Sequence, residues 1–575
     1  MTRRLLALAF TAFVALTLWA QEAQKREMRT VWIATVSNID WPQTRGTGTA
    51  TINKQKKQLT DLLDGFVKAN MNSVCLQVRP MADALYKSSY EPWSSYLTGT
   101  RGQDPGWDPL AFAVEECHKR GLEINAWVNP YRFSNSSGND CNTAIDQNLK
   151  NSGILMQVGN RIVFNPALKA SRDHLLKVCK EMIQNYDIDG IIFDDYFYPG
   201  GGTPEDSSAP DYQLYTQSNS GMSIGDWRRA NVNQMVKDMW DMVQATKPYV
   251  KFSIGPAGVA GQRSTSATKH GVVPVDEYCR ASDWQYTTIY SDPLAWLEEG
   301  TIDYISPQLY WKTNHTTNPF GPLTNWWSYI AEHFGRHHYA SHNIYFMEKT
   351  NTKADWDEIL QQIRYSRQYN RQNAPGVNFY SAKYIDGPTC KGFADYLSQT
   401  LFTHKALEPA MPWHSKTNSD APANLAYSGG TLSWTGVNKK LVRYSVYAVP
   451  LTVTLDEAQS QAFDGIKSDY LVGVTYTPSF KLDASLQSGY WYAVCVVDGW
   501  NNEFAPAFYN LATEYADKVT LVSPIAGTAA TWNQQFAWTA ADGATYELQI
   551  SDDASFGNVL IQRKQITSNT TTIDL

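Results

Sequence analysis

Two adjacent aspartates, Asp194 and Asp195, follow a short apolar run in the segment DGIIFDDYFYP at 189–199. Side chains alternate between the two faces of a strand, so Asp194 and Tyr196 share one face. Asp195 then lies on the other face with apolar Phe193, which suits a layer beneath helices. This register predicts that Asp194 points into the mouth of a barrel and that Asp195 points away unless the strand bulges. A carboxyl group in such a mouth is typical of glycoside hydrolysis, whereas an aspartate that caps the next segment is the structural alternative.

A second carboxyl group is usually needed to hydrolyse a glycosidic bond. The carboxylates that follow other predicted strands or this one are Asp40, Asp83, Asp195 and Glu348. Asp83 lies close to Arg79 in the chain, and a nearby arginine would keep it ionised and suited to act as a base. Asp40 suits either role. The catalytic residues predicted from the sequence are therefore Asp194, then Asp195, with Asp83 close behind.

Aromatic, amide and guanidinium side chains follow several of the predicted strands. Rings stack on flat ligands such as sugars, and a few placed polar groups fix a ligand's orientation. Burial in the core is an equal alternative for Trp127 or Trp311 taken alone. The predicted substrate-binding residues are Asp40, Trp41, Arg79, Trp127, Asn129, Tyr131, Arg132, Tyr196, Gln308, Tyr310 and Trp311.

The composition of the 575 residues narrows the function classes. Lys and Arg number 49 against 56 Asp and Glu, a net charge of −7, and no basic run argues for nucleic-acid binding. Aromatic residues make up 13% of the chain, which favours a recognition surface rich in rings. Beyond the N-terminus no stretch approaches the ~20 apolar residues of a spanning helix, so no transmembrane span is predicted.

Neither a metal nor another cofactor is predicted. The seven cysteines are widely spaced, with no C-x-x-C pair, which favours buried free thiols. His333, His337, His338 and His342 are close in the chain, but no H-E-x-x-H pattern accompanies them. The basic start and apolar run of residues 1–20 predict a signal peptide. We therefore expect an exported protein that is periplasmic, at the cell surface or secreted.

Eight β-rich runs alternate with amphipathic stretches over the first ~400 residues, which predicts an α/β fold of the (β/α)8 TIM type. A doubly wound open sheet is the alternative, although the Gly-rich turn typical of that fold is absent after the first run. The predicted strands are 30–36, 73–80, 122–130, 188–197, 250–256, 302–311, 342–347 and 376–382.

A Pro-rich, polar linker at 406–420 separates this predicted barrel, residues 27–405, from a β-rich C-terminal region. We expect few contacts to cross the linker. Residues 421–513 have the length of a β-sandwich. Residues 517–575 begin a second sandwich and supply about two-thirds of one.

The barrel region resembles the glycosyl hydrolase-like 10 family through segments that occur in the family's order. These are EMRTVWIATVSNIDWP (27–42), QVRPMADALYKSSYEPWSSYLTG (77–99), AWVNPYR (126–132), DGIIFDDYFYP (189–199), DWRRANVN (226–233) and IDYISPQLYW (302–311). The resemblance implies a secreted bacterial glycosidase-type barrel that acts on glycan strands such as those of the cell wall. This chain has Ile192 where the family commonly has His, and Tyr196 where chitinase-type barrels have their catalytic Glu.

The C-terminal region resembles a fibronectin type III module through Trp434, Tyr444, Tyr447, Tyr492 and Asn502. Two functions remain open at this point. The first is a glycoside hydrolase whose substrate is peptidoglycan glycan or another N-acetylated polysaccharide. The second is a non-catalytic, glycan-binding surface protein that uses the aromatic cleft. A structural adhesin is a third class, but it leaves the barrel motifs unexplained. The carboxyl group of Asp194 favours the enzyme, because a binding protein has no need of it there.

Overall fold

The computed structural model describes residues 24–574 apart from 137, 139, 281–282, 373, 415–418, 438–441, 461–464, 511–518, 525–530, 540–544 and 554–557. The predicted signal peptide, residues 1–20, lies outside the described residues. No helix among the described residues is long and apolar enough to cross a membrane.

A parallel sheet of short, buried strands forms the first part of the chain. Most of its strands are apolar on both faces, as expected for a sheet covered by helices. The strands are β1 (Met28–Ile33), β2 (Ser73–Arg79), β3 (Glu123–Val128), β7 (Gly190–Phe193), β8 (Lys251–Ile254), β9 (Tyr304–Ile305), β10 (Gln308–Leu309), β11 (His337–His338), β12 (Ala340–Asn343) and β13 (Gly376–Tyr380).

The sheet closes on itself. β9 and β10 are two parts of one strand interrupted at Ser306 and Pro307, and β11 and β12 are two parts of another interrupted at Tyr339. β9 pairs with β11 and β10 with β12, while β12 pairs with β13 and β13 with β1. Each of the eight strand positions has a neighbour on both sides. The predicted (β/α)8 barrel is therefore confirmed.

The helices that cover the barrel are amphipathic. In α1, for example, Leu59, Leu63 and Phe66 recur at helical spacing and are buried against the sheet. The helices of this region are α1 (Thr49–Lys68), α2 (Ser95–Thr98), α3 (Pro109–Lys119), α4 (Ala144–Asn151), α5 (Lys169–Asn185), α6 (Tyr212–Ser218), α7 (Ile224–Thr246), α8 (Trp284–Thr287), α9 (Pro293–Glu298), α10 (Phe320–His333), α11 (Lys353–Gln368) and α12 (Phe393–Thr400). Short 3₁₀ turns lie at Val36–Asn38, Val275–Glu277, Tyr345–Glu348, Ala382–Tyr384 and Pro388–Cys390.

The predicted position of the seventh strand, 342–347, is wrong. The strand spans His337–Asn343, and Tyr345–Glu348 is a 3₁₀ turn. The strand was not predicted because several of its residues are polar by type. His337 and His342 are nevertheless buried in it, where they form hydrogen bonds with Tyr339 and Gln362. Burial lowers the pKa of both imidazoles to about 3, so both are neutral at physiological pH.

An antiparallel excursion follows the third barrel strand. It consists of β4 (Arg132–Ser134), β5 (Leu155–Val158) and β6 (Arg161–Phe164), in the order β4-β6-β5. It leaves the barrel at the carboxyl end of β3, so it extends one wall of the mouth.

The C-terminal region is built of antiparallel sheets, as predicted for sandwich modules. One pair of sheets has the orders β14-β15-β18 and β17-β16-β19-β20, and the last part of the chain has β21-β22-β25 and β23-β24. The strands are β14 (Ala423–Ser428), β15 (Thr431–Thr435), β16 (Arg443–Pro450), β17 (Leu471–Thr475), β18 (Ser479–Lys481), β19 (Tyr490–Val497), β20 (Ala507–Asn510), β21 (Leu521–Ser523), β22 (Gln534–Trp538), β23 (Tyr546–Ser551), β24 (Val559–Ile566) and β25 (Thr570–Ile573), with α13 at Leu455–Ala458 and 3₁₀ turns at Ser468–Tyr470 and Ala484–Leu486.

The expectation that few contacts cross the linker is wrong. Arg443 of β16 forms ion pairs with Glu123 of the barrel at 2.9 Å and with Glu408 of the linker at 2.8 Å. Tyr476 donates a hydrogen bond to Asp189 just before β7. The first sandwich therefore packs on the amino-terminal end of the barrel, opposite the mouth. Proline content signals a change of direction in the chain but carries no information about docking.

Candidate active site

Asp194 immediately follows β7 and is buried at the mouth of the barrel. The indole nitrogen of Trp127, at the end of β3, donates a hydrogen bond to Asp194 Oδ2 at 3.1 Å. The backbone N–H of Tyr196 donates to Asp194 Oδ1 at 3.3 Å. Ile192, two residues earlier, packs inside the barrel with Trp127. The register predicted for Asp194 therefore agrees with the structure.

Burial raises the pKa of Asp194 to about 7. The positive charge of Arg132 opposes this shift and the negative charge of Asp195 adds to it. No lysine or arginine nitrogen among the described residues lies within 4.0 Å of either carboxyl group. A carboxyl group in this state is protonated in a substantial fraction of molecules at neutral pH.

The predicted orientation of Asp195 is wrong, because it also faces the mouth. Burial raises its pKa to about 6, and the nearby side chain of Gln308 in β10 and the positive charge of Arg132 oppose that shift. The strand ends at Phe193, and the chain turns so that the N–H of Phe197 bonds to the Asp195 carbonyl at 3.2 Å. Strict alternation of faces holds only within a strand, so it does not reach Asp195.

Arg132 and Tyr196 lie beside the two carboxyl groups. The guanidinium of Arg132 lies 3.7 Å from the centre of the Tyr196 ring, a cation–π contact. Tyr196 is 45% exposed, and Arg132 is half-buried. An exposed ring held flat by an arginine is suited to stacking against a sugar.

A second aromatic wall comes from the sixth and eighth strands. Tyr310 follows β10 and stacks on Tyr380, the last residue of β13, with ring centres 5.6 Å apart. Tyr345 meets Tyr380 edge-on at 6.4 Å and is largely exposed. Tyr380 and Tyr345 were not predicted from the sequence. The position of Tyr380 at the end of the last predicted strand is the signal that could have found it.

Asp40 and Asp83 have structural partners. Asp40 accepts hydrogen bonds from the N–H of Ala34 at 2.7 Å, from Ser381 Oγ at 2.8 Å and from the N–H of Lys383 at 3.1 Å. It therefore ties the loop after β1 to the end of β13. Asp83 forms an ion pair with Arg101 at 3.4 Å and accepts the N–H of Met81 at 3.0 Å. Burial raises the pKa of both carboxyl groups, that of Asp40 to about 6.

Four of the predicted substrate-binding residues, Trp41, Arg79, Asn129 and Tyr131, are fully buried instead of lining the mouth. Trp41 donates its indole N–H to the carbonyl of Gln55 in α1 at 2.8 Å. Arg79 makes two hydrogen bonds to Glu91, at 2.6 and 2.7 Å, and also bonds to the backbone of Asn129. The side chains of Trp41 and Arg79 therefore support the loops around the mouth, because they donate hydrogen bonds to buried backbone carbonyls that need a partner.

Trp127, Gln308 and Trp311 have mixed surroundings. Trp127 packs edge-on against Trp32 at 4.8 Å while its N–H reaches Asp194, so it is both core and site. Gln308 also donates to the carbonyl of Gly255 at 2.9 Å. Trp311 is half-buried against Gly258, where an added Cβ would lie 2.7 Å from its ring. Among the described residues, no cluster of His, Cys, Asp and Glu is arranged to hold a metal.

A closed α/β barrel with carboxyl groups and aromatic rings at the carboxyl ends of its strands has them where TIM barrels build their active sites. The chain belongs to the glycosyl hydrolase-like 10 family, whose model matches residues 27–357. Relatives include "Glycosyl hydrolase YngK" of Bacillus subtilis (strain 168), 38% identical over 73% of this chain and 81% of that protein. "Glycosyl hydrolase DigH" of Escherichia coli (strain K12) is 31% identical over 58% of this chain and 77% of that protein.

Among solved structures, the chain is similar to the glycoside hydrolase domain of PgaB (BpsB) from Bordetella bronchiseptica. The match has a TM-score of 0.42 and 11% identity, and it covers 65% of this chain and 98% of that domain.

Proposed function

We propose that the protein hydrolyses O-glycosyl bonds in an exported glycan, with Asp194 and Asp195 as its catalytic carboxyl groups. The substrate proposed is peptidoglycan glycan or another N-acetylated polysaccharide. The observation that carries the proposal is the pair of adjacent carboxyl groups at the mouth, Asp194 buried and Asp195 half-buried, both with raised pKa and close to tyrosine rings. Titratable groups with such shifts are concentrated at catalytic sites.

The two carboxyl groups are suited to different roles. Asp194, with a pKa of about 7, retains a proton near neutral pH and can donate it to the leaving oxygen of the glycosidic bond. Asp195, with a pKa of about 6, is mostly ionised there and can act as base or nucleophile. Trp127 and the N–H of Tyr196 orient Asp194, and the side chain of Gln308 favours the ionised form of Asp195.

Export is proposed on the sequence of residues 1–20, in which Arg3 and Arg4 precede an apolar run that ends at Ala20. The first sandwich is proposed to be a fibronectin type III-like module. Its Trp434 packs edge-on against Tyr444 in the sandwich core, with ring centres 5.1 Å apart.

Incubation with peptide-free peptidoglycan strands, chitin oligomers and common polysaccharides, followed by product analysis, tests the proposal. We expect new reducing ends from at least one glycan and none with Asp194→Asn. Binding of a glycan without any cleavage would overturn the proposal in favour of a non-catalytic, glycan-binding protein.

A further inference from the structure

A cleft of about 560 Å³ opens beside the two catalytic candidates. Its lining residues are Arg132, Asn135, Asn160, Arg161, Val163, Tyr196, Phe197, Tyr198, Pro199, Gly200 and Trp284. The lining comes from the excursion after β3, from the loop after β7 and from α8. Two arginines line this cleft, and none of the described residues that line it carries a carboxylate.

Neither arginine is neutralised by an ion pair. Within the described part of the chain, no carboxylate oxygen lies within 4.0 Å of a nitrogen of Arg132 or Arg161. Arg132 lies with one face on the Tyr196 ring, and its positive charge acts on Asp194 and Asp195. Arg161, the first residue of β6, is exposed on the excursion. The guanidinium of Arg161, which has no carboxylate neighbour of this kind among the described residues, is therefore the group in the cleft that can bind an anion.

The wall beside Arg161 can also hold a sugar ring. Trp284 is 38% exposed, and a Cβ added at Gly200 would lie 3.1 Å from its ring and 3.8 Å from Arg161 Nη1. The missing side chain of Gly200 therefore leaves room for the ring and the guanidinium to lie close together. An aromatic face next to a cation fits a sugar that carries a carboxylate.

We infer that this cleft is a subsite for a carboxylated sugar residue of the glycan and that Arg161 determines the preference for it. The inference rests on the proposed function, because it places this sugar next to the sugar whose glycosidic bond Asp194 and Asp195 are proposed to hydrolyse. A planar guanidinium can form two parallel hydrogen bonds with a carboxylate. The carboxylate belongs either to the lactyl group of muramic acid or to a uronic acid.

Matched pairs of glycans test the inference. The probes are peptide-free peptidoglycan strands and polygalacturonate, each before and after chemical reduction of its carboxyl groups to alcohols. The two pairs distinguish the lactyl carboxylate from the uronate. Binding is measured by calorimetry on Asp194→Asn, and kcat/KM is measured on the wild type where cleavage occurs.

The site predicts that at least one carboxylated glycan binds about tenfold or more tightly than its reduced form. Arg161→Gln in the same Asp194→Asn background should abolish this preference and leave binding of the reduced glycan unchanged. Arg371→Gln is the matched control, because it makes the same change of charge just before β13, at the end of the barrel opposite the mouth. It should change neither the preference for the carboxylated glycan nor the binding of the reduced glycan. Equal binding of both forms by the parent, or an equal loss for both forms in Arg161→Gln, would overturn the inference. Absence of cleavage with the preference intact would overturn only the proposed function.

Discussion

The two ends of the barrel use acidic residues in opposite ways. At the amino-terminal end, Glu123 forms ion pairs with Lys251 at 2.6 Å and with Arg443 at 2.9 Å, and all three residues are buried. At the carboxyl-terminal mouth, Asp194 accepts a hydrogen bond from the neutral indole of Trp127, and neither Asp194 nor Asp195 has an ion-pair partner within 4.0 Å among the described residues.

The difference separates stability from chemistry. Buried carboxylates that face cations stay ionised, as in Glu503, whose pKa burial would raise but Lys25 and Arg26 lower. Glu408 is the exception at that end, because burial raises its pKa to about 7. Carboxyl groups without close cations cost folding free energy, but they hold a proton that can be transferred near neutral pH.

The largest effect is expected from Asp194→Asn at the mouth. Turnover should fall by at least about a hundredfold, because the amide cannot supply the proton. Circular dichroism should show an unchanged fold. Asp195→Asn should also lower turnover strongly, since its carboxyl group faces the same mouth. Near-normal turnover in either variant, on a glycan that the wild type cleaves, would remove that residue from the catalytic pair.

Arg443→Met tests the opposite end. The change removes the guanidinium that forms ion pairs with both Glu123 and Glu408, and loss of one partner in a buried pair costs about 3–5 kcal/mol of unfolding free energy. Denaturant unfolding measures this loss. Arg371→Met, on a half-exposed side chain, is the control and should change stability by less than about 0.5 kcal/mol.

Deletion of residues 421–575 sharpens the same test, because it removes Arg443 and Tyr476 together. The truncated barrel should unfold at a lower denaturant concentration than Arg443→Met. A deletion as stable as the full chain would show that the contacts between module and barrel contribute nothing.

The free energy of unfolding should depend on pH because the pKa of Asp194 at the mouth is raised. The folded pKa of Asp194, about 7, lies above its ordinary value of 3.8, so the folded state binds this proton more tightly. The contribution of Asp194 to the free energy of unfolding is fully present below pH ~4 and is lost as the pH rises through about 7. Asp194→Asn should therefore flatten the decline between pH 5 and pH 8, measured by thermal unfolding. Arg443→Met should not flatten it, and an unchanged slope in Asp194→Asn would contradict the shifted pKa.

The smallest effect is expected from Tyr196→Ala in the aromatic wall. Loss of one stacking ring costs about 1 kcal/mol of binding, or roughly a fivefold rise in KM. Tyr196→Phe keeps the ring and should keep KM near the wild-type value. A fall in kcat with constant KM would instead indicate that the phenol acts in the chemical step.

The barrel and the place of Asp194 could be predicted from residue types alone. Both follow from local periodicity, because most of the buried strands are mainly apolar and Ile192 and Asp194 lie two residues apart on one face. The seventh strand was misplaced because its buried histidines are polar by type and their burial depends on Tyr339 and Gln362.

The groups that join Asp194 at the mouth depend on contacts between distant parts of the chain. Asp195 faces the mouth because β7 ends at Phe193, where its pairing with β3 and β8 ends. Asp83 is paired with Arg101, and Tyr380 reaches the mouth from the last strand. Arg443 reaches Glu123 from a separate module. These contacts join residues far apart in the chain, and local patterns of residue type carry no information about which distant partner will satisfy a buried charge or complete a wall.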